Sequence, residues 1–150
     1  MWWYCCIQKF RNNKTLKKKD AQIKTILTKN ANKFITPLSV VSLSQEKVYS
    51  DLFDHKNESE MDHISLSRWS DLILIAPATA NTISKIAFGI ADDLASTTVL
   101  ASDKKIFLAP AMNVRMWEHP SNKDNISKIR NIGCEIIGPE IGDMACGEYG

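Results

Sequence analysis

The sequence lacks the long apolar runs and leader features that several classes of protein require. No stretch of its 150 residues stays apolar for the length of a membrane span. The opening residues are apolar only briefly, with neither a basic start nor a small-residue cleavage site, so they are not typical of a signal peptide. We therefore predict a cytoplasmic protein with no membrane partner.

Paired cysteines and a strong charge of either sign are also missing. The four cysteines form no CxxC pair and stand apart from the three histidines, which disfavours a zinc site and favours reduced thiols. The net charge of +2 gives no reason to expect a nucleic-acid partner. One basic cluster, Lys14 with Lys17–Lys19, is interpreted as a solvated helix face rather than a phosphate-binding patch. We expect no bound metal.

Glycine is absent between Met1 and Asn13, a segment without usable periodicity. The remainder has the composition of an ordinary core-forming chain, since 44% of all residues are apolar. A chain of 150 residues can bury one core but is too short to divide comfortably into two. We therefore predict a single domain over residues 1–150.

The clearest local pattern is the stretch from Asp71 to Asp93. Leu72–Ile75 is a short apolar run rich in branched residues, which favours a strand covered on both faces and hence a parallel sheet. The run ends at Pro77, and small polar residues suited to capping a helix follow it: Thr79, Asn81 and Thr82. The start of such a helix is an anion-binding position.

A helix is predicted after this turn. The spacing of Ile83, Ile86, Ala87 and Ile90 follows the helical period, with Gly89 inside the helix at a modest cost in stability.

A second strand ends in the same kind of turn. Ile106–Leu108 is apolar and stops at Ala109-Pro110-Ala111, as the first strand stops at a proline between alanines. Because parallel strands bring their carboxyl ends to one edge, we expect the two turns to lie side by side, where open α/β sheets bind ligands. From the residues alone, Asn113 could be a helix cap, and Met116 and Trp117 could be core or lid packing.

The flanking segments have weaker signals. We predict a strand at Gln22–Leu27, a polar turn at Thr28–Asn32, a helix at Asn32–Ser44 and an exposed loop at Val48–Asp62. His63 follows in a short helical or extended piece; it could be a hydrogen-bonded structural residue or a proton-transfer group.

The last segments complete the alternation of helix and strand. Asp124–Arg130 favours a helix ended by Gly133, and Glu135–Ile137 favours a last strand. The tail that holds Cys146 could be a disordered end or a flap that carries a thiol.

Three motifs in this order resemble one family. PATANT at Pro77–Thr82, PAMNVRMW at Pro110–Trp117 and ACGEYG at Ala145–Gly150 are similar to motifs of the flavin-dependent cysteine decarboxylases, in particular their phosphopantothenoylcysteine branch. The segments TKNANKFITPLS and HISLSRWSDL match the same family, so the resemblance covers roughly Lys14 to Gly150. It implies a Rossmann-like α/β fold of flavodoxin type, a parallel sheet with helices on both faces.

The resemblance also implies a carboxy-lyase activity. The family uses FMN to decarboxylate 4′-phosphopantothenoylcysteine to 4′-phosphopantetheine in coenzyme A biosynthesis. By motif match, His63 and Cys146 are catalytic, as base or charge partner and as proton donor, whereas Asn113, Asp143 and Ala145 contact the substrate. The matched FMN contacts are Thr28, Lys29, Asn30, Thr79, Ala80, Asn81, Thr82, Ala111 and Met116. The family forms trimers or sets of trimers, so a homo-oligomer is implied.

The chain departs from the family pattern at both ends. Family chains open with a strand and a glycine-rich turn, GGIAAYK, that holds the FMN phosphate, and Met1–Asn13 has no such turn. The synthetase domain that often follows in bacteria is not in this sequence, and that activity could lie on a separate polypeptide. Two alternatives therefore stay open: an inactive fragment, or a regulatory or interaction protein that keeps the fold. A related flavoprotein with another peptidyl or aromatic acid substrate is a third.

Overall fold

The computed structural model of this chain describes residues 21–52, 61–142, 147 and 149. The elements alternate along the chain as a series of short strands and helices. In chain order they are β1 (Thr25–Ile26), a 3-10 turn (Ala31–Lys33), α1 (Pro37–Ser44), β2 (Val48–Tyr49), α2 (Asp62–Trp69), β3 (Leu72–Ala78), α3 (Ala80–Ala87), α4 (Leu94–Leu100), β4 (Lys105–Pro110), α5 (Val114–Glu118), α6 (Pro120–Asn131) and β5 (Glu135–Ile136).

All strand pairs in the described residues are parallel. β1 pairs with β2, and β3, β4 and β5 form a second sheet in that order. In the longer pair, Leu72 lies opposite Lys105 and Ile75 opposite Leu108. Parallel strands joined through helices confirm the predicted Rossmann-like, flavodoxin-type α/β class.

One face of the three-stranded sheet holds the core. Ile73 and Ile75 of β3 pack with the fully buried Leu108 of β4 against α3, α4 and α6. The buried side chains that these helices add are Ile83, Ile86, Val99, Ile126 and Ile129. The i and i+3 spacing of Ile83 and Ile86 on α3, and of Ile126 and Ile129 on α6, places each pair on one stripe of its helix, as an amphipathic helix on a sheet requires.

The opposite face of the same sheet is exposed within the described residues. Leu72 and Leu74 of β3 have 53% and 49% of their surface exposed, and Lys105 and Glu135 form an exposed ion pair at 2.7 Å on neighbouring strands. The apolar run of β3 predicted cover on both faces, and the described part of the chain supplies it on one.

The predicted helix at Asn32–Ser44 is wrong in its first third. The chain forms a 3-10 turn at Ala31–Lys33, and α1 begins only at Pro37. Proline disfavours helical geometry in the residue before it and fits the first helical position, so Thr36 becomes an extended N-cap whose hydroxyl accepts from the N–H of Ser39 at 3.2 Å.

Gly89 lies outside α3, contrary to the prediction. The helix ends at Ala87, Gly89 has φ +65°, and Ile90 returns an N–H to the carbonyl of Lys85 at 2.9 Å. Glycine takes this left-handed geometry readily, and the returning hydrogen bond is the usual way to close a helix end. Ile90 consequently leaves the helical stripe and is 46% exposed.

Two elements carried too little periodicity to be predicted. β2 is only two residues long and lies inside the stretch interpreted as an exposed loop. α4 follows a capping box, in which Asp93 accepts from the N–H of Ser96 at 2.8 Å and the Ser96 hydroxyl accepts from the N–H of Asp93 at 3.2 Å. Aspartate is a common N-cap residue, so Asp93 indicates a possible helix start, but the short helix after it has no long apolar stripe.

The remaining predicted strands and the last helix are present in the structure, with different bounds. β3, β4 and β5 contain the predicted strand positions, except Ile137, which lies beyond β5. α6 begins at Pro120, earlier than predicted, because His119 caps it and proline fits its first position. Gly133, with φ +92°, follows its end as expected. Only Thr25–Ile26 of the strand predicted at Gln22–Leu27 is formed.

Candidate functional site

The turns after β3 and β4 lie next to each other. Ala78 and Pro110 are register partners, and the N–H of Ala111 donates to the carbonyl of Ala78 at 3.1 Å. This bond ties the start of the second turn directly to the end of the first strand. The prediction that the two proline-containing turns share one edge of the sheet is therefore confirmed.

The first turn leads into the capped start of α3. The Thr79 hydroxyl accepts from the N–H of Thr82 at 3.1 Å, and the two threonine hydroxyls are also 3.1 Å apart. An N-cap of this kind satisfies one N–H of the first turn and leaves those of Ala80 and Asn81 without a partner inside the helix. Ala80 is half-buried and Asn81 is exposed, so the small residue lets a ligand approach these donors.

The second turn leads into α5 through Asn113. Its Oδ1 accepts from the N–H of Arg115 at 2.7 Å, so the interpretation of Asn113 as a helix cap is correct. Ala111 and Asn113 are half-buried, and Met112 between them is 8% exposed and belongs to the core. The buried methionine anchors the turn and keeps its neighbours at the surface of the sheet edge.

Met116 and Trp117 separate in the structure. Trp117 packs against the core, as its interpretation as a packing residue predicted, whereas Met116 is 47% exposed on the short helix α5. Met116 is therefore open to a ligand, and Trp117 supports the helix that carries it.

His63 lies in the first turn of α2, where the sequence alternation left helix and strand open. Its side chain is half-buried, and its Nδ1 is buried without a hydrogen-bond partner in the part of the chain that the structure describes. A buried polar atom left unpaired costs about 1–3 kcal/mol, so such atoms are concentrated at sites completed by another group. The interpretation of His63 as a hydrogen-bonded structural residue is not supported at this nitrogen.

Thr28, Lys29 and Asn30 form the turn that leaves β1. The Thr28 hydroxyl accepts from the N–H of Ala31 at 3.2 Å and its carbonyl accepts from the N–H of Asn32 at 3.0 Å, so Thr28 holds the turn while Lys29 and Asn30 are exposed. Asn32 was not among the predicted site residues. Its Oδ1 is buried without a partner within the described residues, a feature that no sequence pattern signals.

The remaining candidates, Asp143, Ala145 and Cys146, lie outside the described residues, as does the segment Met1–Asn13. The structure thus joins Thr79–Thr82 to the Ala111–Asn113 turn through β3 and β4, and it places His63 and Thr28–Asn30 on two further elements.

A network of charged side chains fixes the far end of α3. Lys85 donates to Asp92 at 2.6 Å and to Asp93 at 2.9 Å, and these hydrogen bonds raise the pKa of Lys85. Burial opposes ionisation of Asp93, but the bonds from Ser96 and Lys85 outweigh it and lower its pKa. The network holds α3 against the loop before α4, so it stabilises the scaffold behind the paired turns.

The described residues contain neither a cluster of metal-ligating side chains nor a helix that could span a membrane. No three or more histidine, cysteine, aspartate or glutamate side chains gather there as a metal would require. None of the helices within residues 21–52 and 61–142 is both long and apolar enough to cross a bilayer.

Curated proteins that resemble this chain are bifunctional. The chain is 47% identical over 130 residues to the coenzyme A biosynthesis bifunctional protein CoaBC of Bacillus subtilis, covering 87% of the chain and 32% of the relative. It is 38% identical over 135 residues to the CoaBC of Escherichia coli, with 90% and 33% covered. The chain thus spans about a third of the length of these relatives.

Solved structures match over most of the chain. The FMN-dependent cysteine decarboxylase SpaF superposes with a TM-score of 0.84 at 32% identity, covering 96% of this chain and 82% of that one. A mutant PPC decarboxylase in complex with pantothenoylaminoethenethiol gives a TM-score of 0.81 at 33% identity, with 95% and 80% covered. The model of the Flavoprotein family matches residues 7–150, nearly the whole sequence. By sequence and by fold, the chain belongs to the Flavoprotein family.

Proposed function

We propose that this chain is a decarboxylase domain that uses FMN to convert 4′-phosphopantothenoylcysteine to 4′-phosphopantetheine in coenzyme A biosynthesis. The observation that carries the proposal is the hydrogen-bonded pair of turns after β3 and β4, which holds Thr79–Thr82, Ala111 and Asn113 at one sheet edge. The bifunctional relatives and the PPC decarboxylase structure support this choice of substrate.

The residues of the two turns fit a flavin. The start of α3 offers the N–H groups of Ala80 and Asn81 beside the hydroxyls of Thr79 and Thr82, and such donors suit the carbonyl and ring-nitrogen acceptors of an isoalloxazine. Ala111 adds a small residue that permits close backbone approach. Thr28, Lys29, Asn30 and Met116 would complete the contacts. FMN, when bound, supplies an acceptor for the two electrons of thiol oxidation, which prepares the substrate to lose carbon dioxide.

The chain's own groups then have distinct tasks. Asn113 would hold the substrate carboxylate through its amide, without an ion pair that would over-stabilise the ground state. His63 would take or balance the proton of the substrate thiol, and its buried Nδ1, which has no partner among the described residues, is available to a substrate group. Cys146 would protonate the enethiol during its reduction, with Asp143 and Ala145 beside it.

The assembly and its partners belong to the same proposal. We infer a cytoplasmic homo-oligomer, a trimer or a set of trimers, because the resemblance implies such an assembly and the Nδ1 of His63 lacks a partner within the described residues of its own chain. The synthetase activity that the bifunctional relatives combine with this domain would come from a separate polypeptide or from another part of the same protein. The domain extent of 1–150 also stays a prediction.

A flavin titration tests the proposal. The purified chain should show visible flavin absorbance or acquire it when FMN is added, and FMN should raise its melting temperature, because ligand that binds only the native state stabilises it. Carbon dioxide release from 4′-phosphopantothenoylcysteine should follow flavin occupancy. A colourless chain that takes up no FMN would defeat the enzymatic claim and favour an inactive fragment. Flavin binding without turnover would favour a regulatory protein.

A further inference from the structure

The strand order of the described residues leaves a specific position to be filled. In the doubly wound order 3-2-1-4-5-6, the first strand separates the second from the fourth. The described strands reproduce this order in two parts, β2 beside β1 and then β3, β4 and β5. In that order, β1 and β2 correspond to the second and third strands, and β3, β4 and β5 correspond to the fourth, fifth and sixth.

The first turn of such a sheet is normally the phosphate site. A glycine-rich turn follows the first strand, because only glycine lets the backbone approach a phosphate closely at the start of a helix. The sequence has no glycine before Gly89, although the resemblance to the decarboxylases implies GGIAAYK ahead of β1.

The codons of the opening residues contain two glycines in another frame. Tryptophan has the single codon TGG, and tyrosine codons begin with T. Trp2, Trp3 and the first nucleotide of Tyr4 therefore read GGT GGT, Gly-Gly, in the frame that starts one nucleotide later. No choice of synonymous codon can change this pair.

The residues that follow restrict the alternative frame strongly. In it, Tyr4 becomes Ile or Thr, Cys5 and Cys6 each become Ala or Val, and Ile7 becomes Tyr, Phe or Ser. Gln8 becomes Lys or Arg. The permitted set therefore contains Gly-Gly-Ile-Ala-Ala-Tyr-Lys, in the same order and with no residue inserted.

We propose that the gene of this chain encodes a glycine-rich phosphate-binding turn in the frame one nucleotide after the codons of Trp2–Gln8, and that Trp2–Gln8 are the same nucleotides translated in the other frame. The inference deepens the proposed function, on which its ligand, the terminal phosphate of FMN, rests. The two frames change over before β1, because the residues from Thr28 onward match the family motifs in the frame of this chain.

Sequencing the coding DNA decides the frame without any assay of the protein. The proposal requires TAT for Tyr4, TGC for Cys5 and Cys6, ATA for Ile7 and CAA for Gln8. These codons, read one nucleotide later, give Ile-Ala-Ala-Tyr-Lys after the two glycines. A TAC codon at Tyr4 or TGT at either cysteine would place Thr or Val in the turn and overturn the proposal.

A pair of recoded chains tests the phosphate site. The first carries Trp2→Gly, Trp3→Gly, Tyr4→Ile, Cys5→Ala, Cys6→Ala, Ile7→Tyr and Gln8→Lys; the matched control is identical except for Trp2→Ala and Trp3→Ala. The glycine chain should bind FMN at least about tenfold more tightly than the control, with no gain for riboflavin, which lacks the phosphate. Equal binding of FMN by the two chains would overturn the phosphate site.

The two hypotheses fail separately. If the DNA carries the required codons but neither recoded chain binds FMN or riboflavin, the frame assignment stands and the flavin function proposed above is wrong. If the chain binds FMN but the codons differ from those required, the flavin function stands and the alternative frame is wrong.

Discussion

The two sheets of this protein are both parallel, but they differ in length and in what supports them. β3 and β4 pair over most of their seven and six residues, and Leu108, Ile83 and Ile129 around them are fully buried. β1 and β2 pair over two residues, with Leu27 just beyond β1 buried at 5% exposure. Both pairs lead to turns with predicted site residues, so the difference indicates which part of the site is held rigidly and which part depends on further contacts.

The β3–β4 region therefore provides the scaffold of the site. Its turns are joined by a backbone hydrogen bond and capped by Thr79 and Asn113. The region around β1 and α2 contributes Lys29 and Asn30, which are exposed, and His63 and Asn32, each with a buried atom that lacks a partner among the described residues. We expect mutations in the first region to act mainly on stability and flavin binding, and mutation of His63 in the second region to act mainly on chemistry.

The largest effect should come from His63→Asn. Loss of the proton-transfer group should lower carbon dioxide release by about 100-fold or more while FMN stays bound, because His63 is not among the flavin contacts. Release of carbon dioxide and visible absorbance report the two properties on one sample. His119→Asn is the matched control, since His119 is an exposed helix cap that asparagine can replace. Full turnover by the His63 variant would remove it from the mechanism.

Cys146→Ser should separate the two halves of the reaction. Oxidative decarboxylation should proceed, but the poorer acid should leave the unsaturated enethiol product, which mass spectrometry distinguishes from the saturated thiol by two hydrogens. Cys134→Ser provides a control, because Cys134 is a buried core residue. Normal 4′-phosphopantetheine from the Cys146 variant would exclude its role as proton donor.

Cavity-forming variants measure how tightly the β3–β4 sheet and the β1–β2 pair are packed. Leu108→Ala should lower the free energy of unfolding by about 2–5 kcal/mol, because its side chain is fully buried in the core between the sheet and its helices. Leu27→Ala should cost less, since the short β1–β2 pair can relax around the cavity. Leu100→Ala, at a position 61% exposed, should stay within about 0.5 kcal/mol of the parent. Equal losses at Leu108 and Leu27, measured by urea unfolding, would contradict the division into two regions.

Two threonine N-caps, one in each region, allow stability and flavin binding to be measured separately. Thr79→Ala and Thr36→Ala each remove an N-cap and should each cost about 1 kcal/mol of stability. Only Thr79→Ala should also weaken FMN binding, because only the start of α3 faces the proposed flavin site. Thermal melting measures the first quantity and fluorescence titration the second. Equal flavin affinities in the two variants would move the flavin away from α3.

The smallest effect concerns acid stability. The pKa of Asp93 is lowered in the folded protein, because the bonds from Ser96 and Lys85 outweigh its burial. The stabilisation is therefore fully present above the ordinary value of 3.8 and is lost as the pH falls through the lower, folded value. Asp93→Asn keeps a cap without the charge, so its unfolding free energy should fall less between pH 5 and pH 2. An unchanged pH slope in urea titrations would show that Asp93 contributes nothing to it.

Much of the central region could be predicted from local pattern. The apolar run of β3 and its repetition in β4 identified two parallel strands, because such runs are typical of buried strands joined through helices. The small polar residues after Pro77 identified the start of α3. The motifs then predicted which side chains belong to the site, and the structure brings Thr79–Thr82 and Ala111–Asn113 together as expected.

The errors at Gly89 and Pro37 have a shared physical cause. Gly89 was predicted inside a helix, and Pro37 lies within the helix predicted at Asn32–Ser44. Both instead mark helix boundaries, since each has a backbone preference that suits a helix end better than an interior. β2 and α4 are too short for periodicity to show. His63 alternates with its neighbours in a manner that fits a strand or a helix equally well.

The sequence by itself determined the fold class, the two proline-containing turns and the residue types available for chemistry, because these depend on local periodicity and on side-chain identity. Only the tertiary structure decided the register that joins Ala111 to Ala78 and, within the described part of the chain, the exposed second face of β3 and the unpaired nitrogen of His63. Those features arise from contacts between elements distant in the chain, where packing sets which polar atoms find a partner.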